Sequence, residues 1–179
     1  CGRTFLILCA LIQLCSAQLY TNLPEVSKGY FRSPVDVKIY LSGTFGEPRI
    51  THFHTGIDIK TQGVEGKKIY SVAEGYVSRI SVSPFGYGNA IYVTHPNGMV
   101  SVYGHLQKFA SKMQEWVKQQ QHVQTNFTIN MEDLSPSLFP VIKGEVIAFS
   151  GNTGGSGGPH LHFELRDSLE HPLNPLLYG

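Results

Sequence analysis

A mainly β domain of antiparallel sheets, with one amphipathic helix inserted around residues 106–121, is the fold class that the sequence predicts. Three observations carry it. Short alternations of apolar and polar residues recur as KIYSVA, GYVSRISV, NAIYVTHP and MVSVYGHL. Turn chemistry separates them at close intervals: Glu74-Gly75, the run from Pro84 to Gly88, and Pro96-Asn97-Gly98, whose Asn-Gly step is a hairpin signal. A single segment shows helical spacing instead. The 179 residues suffice for about one domain with its own core. Hydrophobic content of 41% and charge of 15% describe a globular protein, and a net charge of +1 makes no electrostatic case for nucleic acid.

The first residues, CGRTFLILCALIQLCSA, set one Arg ahead of a mostly apolar run from Phe5 to Cys15 and end on small residues. That is the layout of a secretory signal peptide over 1–17, cut near Ala17, and the run is short for a membrane span. Export to the periplasm, cell envelope or extracellular space is expected. All three cysteines, Cys1, Cys9 and Cys15, fall in this leader, so neither a disulfide framework nor a Cys-rich metal site is expected beyond it.

A polar, irregular approach over 18–34 leads to one domain over 35–179. VDVKIYL (35–41) alternates as a strand does. GTFGEPRITHFHTGIDI holds too many Gly and Pro breakers for a helix, so a strand end and a tight turn at Thr55-Gly56 are expected to bring His54 and Asp58 together. LQKFASKMQEWVKQQQ (106–121) puts Phe109, Met113, Trp116 and Val117 at helical spacing, an apolar stripe for packing over the sheet. A loop is expected from Gln124 to Pro140, and FPVIKGEVIAFSG then returns to strands.

The chemistry gathers around GNTGGSGGPHLHFEL, residues 151–165. On a strand, His160 and His162 share one face while Leu161 and Phe163 take the other. By the same period Glu164 lies on the His face, where it is a candidate to orient His162. The run 151–158 has five glycines without the Lys of a phosphate loop, so no nucleotide is expected, and its glycines suit close approach of an extended peptide. His54, Asp58 and His162 offer two nitrogens and one carboxylate, a donor set that suits tetrahedral zinc with a position left for water. Zinc lowers the pKa of such water to about 7 and polarises a carbonyl. His105 and His160 remain for proton transfer and oxyanion stabilisation. His52, two residues before His54, is the rival ligand, whereas His95, His122 and His171 are expected to be solvated.

HTGID, YGHL and SGNTGGSGGPHLHFEL, in that order, resemble the signature blocks of the lysostaphin-type (LytM-like) zinc metallopeptidases, which cut peptide bonds in bacterial cell-wall peptidoglycan. The resemblance covers most of the chain beyond the leader. It implies a compact β fold built as a duplicated hybrid motif, with 35–179 as the catalytic domain. It further implies His54, Asp58 and His162 as zinc ligands and His105 and His160 as catalytic histidines, with the base and oxyanion roles of that pair left open. The substrate it implies is a peptidoglycan peptide, with association to the cell envelope. The alternative is a catalytically inactive regulatory module of the same fold that binds a cell-wall enzyme or peptidoglycan. Such modules typically lack ligands or catalytic histidines, and here all five positions are filled. The segment between His105 and Val141 is longer than the usual linker in the family and is expected to alter the groove wall.

Overall fold

Residues 24–179 are described by the computed structural model, so the expected signal peptide and the three cysteines lie outside the described residues. In chain order the elements are β1 (Leu41–Gly43), β2 (Ile57–Lys60), β3 (Lys68–Tyr70), β4 (Gly75–Val82), β5 (Ala90–Thr94), β6 (Val100–Gly104) and β7 (Leu106–Phe109). Then follow the helix α1 (Ser111–Gln124), β8 (Ile129–Met131), β9 (Pro140–Val141), β10 (Val146–Ser150), β11 (His160–Arg166), β12 (Pro172–Leu173) and a 3-10 turn at Pro175–Leu177. One sheet runs in the order β1-β2-β11-β6-β5-β4-β8, with β12 beside β11 and β9 beside β4, and β3-β10-β7 form a second. Every pairing is antiparallel, as the sequence predicts.

The period of two explains how β11 serves both core and site. Leu161, Phe163 and Leu165 enter the main core together with Ile57 and Ile59 of β2 and Tyr103 of β6. Each aliphatic side chain so buried contributes about 1.5–3 kcal/mol over an exposed one. His160, His162 and Glu164 are left on the opposite face. The Asn97-Gly98 turn joins β5 to β6, with the His95 N–H donating to Met99 O and the Gly98 N–H to His95 O.

The structure corrects several expectations. The strand expected over 35–41 is confined to Leu41–Gly43. Ser33 Oγ bonds both the N–H and the carbonyl of Val35, which bends the chain there, and the Val35 side chain is nevertheless buried. The helix starts at Ser111 and runs to Gln124, so Leu106 to Phe109 belong to a strand. Its inside-out-out-inside burial imitates the i, i+3 spacing of a helix. A register shift against β10, where Lys108 faces Phe149 but Leu106 faces Ser150, lets Leu106 and Phe109 both point inward. The rest of the stripe packs as expected: Met113 and Val117 are buried, and Trp116 meets Phe139 edge-on at 5.6 Å. The expected loop from Gln124 to Pro140 contains β8, which adds to the edge of β4 and buries Ile129.

His95 is also corrected, from solvated to 3% exposed. Its Nδ1–H donates to Glu74 O (2.7 Å), its Nε2 lies 2.8 Å from Ser101 Oγ, and Phe31 packs edge-on at 5.6 Å. Burial lowers its pKa below the ordinary 6.5, with the bond to Glu74 O opposing. A folded-state value below the unfolded one means that the unfolded chain takes up the proton first. The contribution of His95 to stability is therefore complete above about pH 6.5 and is lost as the pH falls through its folded value, at up to about 1.4 kcal/mol per pH unit. Denaturant titrations across this range should show a shallower acid loss in His95→Gln than in wild type. Equal slopes would show that His95 does not contribute.

Candidate active site

Register across β2, β11 and β6 assembles the site. His162 stands directly opposite Asp58 on one side and Gly104 on the other, and His105 follows Gly104. Residues opposed in this way present their side chains on the same face. His54 arrives from a hairpin closed by Gly46 N–H to His54 O, His54 N–H to Glu47 O, Arg49 N–H to His52 O and a Pro48–Phe53 bridge. The expected bend at Gly56 is present, and glycine is required there, because a Cβ would lie 2.3 Å from Phe163 O. His54 Nε2, Asp58 Oδ1 and His162 Nδ1 end up at the corners of a nearly equilateral triangle with sides of 3.0–3.1 Å.

Hydrogen bonds behind each ring decide which nitrogen faces this point. His54 Nδ1–H donates to Thr44 O (2.9 Å), so its Nε2 carries the lone pair. His162 Nε2 lies 2.7 Å from Glu164 Oε1, which leaves Nδ1 for the site. Glu164 is fully buried and also accepts from the Thr55 hydroxyl (2.5 Å), the Tyr87 hydroxyl (2.6 Å) and Arg166 Nε (2.7 Å). Burial is the largest single influence and works against its charge, but the bond to His162 and that ring's charge, with Arg166 and Thr55, together outweigh it and bring its pKa down to about 2.

Asp58 Oδ2 accepts from Arg49 Nη2 (2.7 Å), and Oδ1 faces His54, His162 and His160. Burial opposes its ionisation too, yet the imidazoles of His160, His162 and His54 gathered around it hold its carboxyl well below the usual range. For His162, burial disfavours protonation, and Asp58 and Glu164 on its two sides more than reverse this and raise its pKa. Three acceptor atoms thus converge where the surroundings favour positive charge. In tetrahedral coordination with bonds of about 2.0–2.2 Å, donors lie roughly 3.3–3.6 Å apart, so small relaxations fit this triangle to zinc.

His105 and His160 lie beside the triangle, their rings tilted at 56° to each other with centroids 4.7 Å apart. Each donates Nδ1–H to a main-chain carbonyl, His105 to Thr153 O and His160 to Gly158 O, both at 2.8 Å. Nε2 of His160 is 3.4 Å from Asp58 Oδ1. Burial pushes the His105 pKa down to about 4, against the pull of the Thr153 bond, so the ring is neutral at pH 7. His52 stays outside the triangle, exposed and 3.1 Å from Thr51 Oγ1.

These groups open into a cleft of about 550 Å³, walled by Ile50, Thr51 and His52 on the hairpin tip and by Gly86, Tyr87 and Gly155 across from it. No residue between 106 and 150 lines it, which corrects the expectation that the long segment after His105 reshapes the groove wall. That segment packs its helix into the core and adds β8 at the edge of the sheet away from β1 and β2. Sequence reasoning missed Arg49, Thr44, Thr55, Tyr87 and Arg166. Each reaches the site through tertiary contacts that no local pattern signals.

A model of Peptidase family M23 matches residues 52–131, a span that holds His54, Asp58 and His105. The chain belongs to peptidase family M23. Among relatives of this M23 chain, the DD-carboxypeptidase/endopeptidase Mpg of Neisseria meningitidis serogroup B is 34% identical over 123 residues, covering 69% of the chain and 22% of Mpg. Csd3 of Helicobacter pylori superposes with a TM-score of 0.59 at 28% identity, over 86% of this chain and 34% of that one. The catalytic domain of the antimicrobial peptidase lysostaphin from Staphylococcus simulans has a TM-score of 0.57 at 22% identity, over 78% of this M23 chain and 91% of the domain, so the two share a fold. The expected lysostaphin-like architecture is thereby established. This M23 chain spans about a fifth of the length of Mpg.

Proposed function

We propose that this chain acts as an exported zinc-dependent endopeptidase on peptide bonds of bacterial peptidoglycan. The observation that carries the reading is the triangle of His54 Nε2, Asp58 Oδ1 and His162 Nδ1, each atom left free by a partner behind it, with His105 and His160 alongside. Membership of a peptidase family and the likeness to the DD-carboxypeptidase/endopeptidase Mpg and to the peptidoglycan DD-endopeptidase ShyC of Vibrio cholerae support hydrolysis and the wall peptide as substrate. Action on peptidoglycan in turn supports an extracytoplasmic location. The alternative of an inactive docking module is less well supported, because all five polar side chains converge.

His54, Asp58 and His162 would hold zinc. Bound there, zinc supplies Lewis acidity at the scissile carbonyl and an acidified water. Glu164 keeps Nδ1 of His162 turned inward, and Arg49 occupies Asp58 Oδ2 so that Oδ1 is the oxygen presented. At His105 and His160 the main-chain acceptors take Nδ1–H, so Nε2 is the working atom of each. It accepts a proton when the ring is neutral and donates one when the ring is charged. The cleft is of a size for a short peptide segment, and Tyr87 and the hairpin tip on its two walls orient that segment.

Mass spectrometry of purified muropeptides after incubation tests the reading. Cleavage products are expected with zinc-loaded protein, absent after chelation and restored by added zinc. Intact muropeptides in the zinc-loaded reaction would overturn it.

A further inference from the structure

We infer that Thr153 is a positioning residue for His105: its hydroxyl clasps two neighbouring segments so that its own carbonyl holds the imidazole in the one tautomer that presents Nε2 to the cleft. The backbone of His105 is unusual. Its φ is 57°, in the left-handed region that is unfavourable for a residue with a Cβ, so surrounding contacts must keep it there. Two main-chain bonds do part of this, from His105 N–H to Tyr87 O (2.8 Å) and from Leu106 N–H to Asn89 O (3.0 Å). The third restraint is the ring itself, through Nδ1–H to Thr153 O (2.8 Å).

That carbonyl is well placed only if its loop is, and the Thr153 side chain ties the loop to the same two segments. The hydroxyl donates to Leu106 O and accepts the Asn89 N–H, both at 3.0 Å. Asn89 Nδ2 closes the set by donating to Leu106 O (3.0 Å). The next residue is packed as tightly: a Cβ at Gly154 would lie 2.3 Å from Gly88 N, so glycine is needed for the loops to meet. A group that both donates and accepts is therefore required at position 153. Valine keeps the shape but leaves the Asn89 N–H without its partner, whereas serine keeps both bonds. Thr153 does not line the cleft, so it acts through His105 rather than on substrate.

The turnover arm of the test rests on the peptidase reading, and the spectroscopic arm does not. In the full chain, Thr153→Val is expected to lower kcat at least about tenfold with KM and zinc content unchanged, and Thr153→Ser to restore it to within about threefold. In ¹⁵N NMR of the metal-free protein, His105 should be the Nδ1–H tautomer in wild type and Thr153→Ser and a mixture in Thr153→Val. Wild-type kcat in Thr153→Val would overturn the inference, and so would an Nε2–H tautomer at His105 in the wild type, whatever the variants do. If wild-type protein cleaves no muropeptide, the peptidase reading fails while the NMR comparison still decides the role of Thr153.

Discussion

Changing His54 or Asp58 to alanine is expected to remove zinc and hydrolysis together. Each supplies one corner of a triangle whose sides are 3.0–3.1 Å. Without His54, two donors remain. Without Asp58 the triangle loses its one carboxylate corner, and Arg49, still paired with Glu47, is left facing the imidazoles. Zinc affinity should fall by more than the roughly 10–100-fold that loss of an outer partner causes, because a ligand itself is gone. Metal analysis of dialysed protein, paired with muropeptide digestion, measures both effects, and circular dichroism checks that the β fold persists. One tightly held zinc per chain in Asp58→Ala would sink the assignment of this residue as a ligand.

The second large effect separates the two kinds of histidine. In His105→Ala or His160→Ala the triangle is untouched, since neither ring contributes a corner, so zinc should be retained at wild-type stoichiometry. Turnover should fall by about 10²–10⁴, the range over which a positioned acid or base contributes. Their Nδ1–H groups are committed to Thr153 O and Gly158 O, so each ring works through Nε2 and nothing adjacent duplicates it. Full hydrolysis by either variant would remove that residue from the catalytic set. Loss of zinc from either would instead make it a ligand.

Much of this site was legible locally. A strand period of two sets His160, His162 and Glu164 on one face, and the structure places them so, with Glu164 at 2.7 Å from His162. The stripe of Met113 and Val117 marks the helix for the same kind of reason, since 3.6 residues per turn bring them to one side. Where local reading failed, a tertiary feature had altered the local rule. Leu106 and Phe109 look helical because a shift in pairing with β10 lets residues three apart face inward from a strand. His95 precedes a proline in a turn, the setting of a solvated residue, yet Phe31 and Ser101 enclose it.

By itself the sequence determined the β class, the residue types that meet at the cleft and the side of β11 on which they stand, because these follow from periodicities that act within a few residues. Only the tertiary structure decided that Asp58 pairs opposite His162 across 104 positions of chain, that Arg49 takes the second carboxylate oxygen, and that Thr44 and Thr153 select the nitrogen that His54 and His105 offer. Hydrogen bonds between distant segments exist only once strand register is set. That register is an outcome of burying Ile57, Ile59, Leu161 and Phe163 together, and no single stretch of residues contains it.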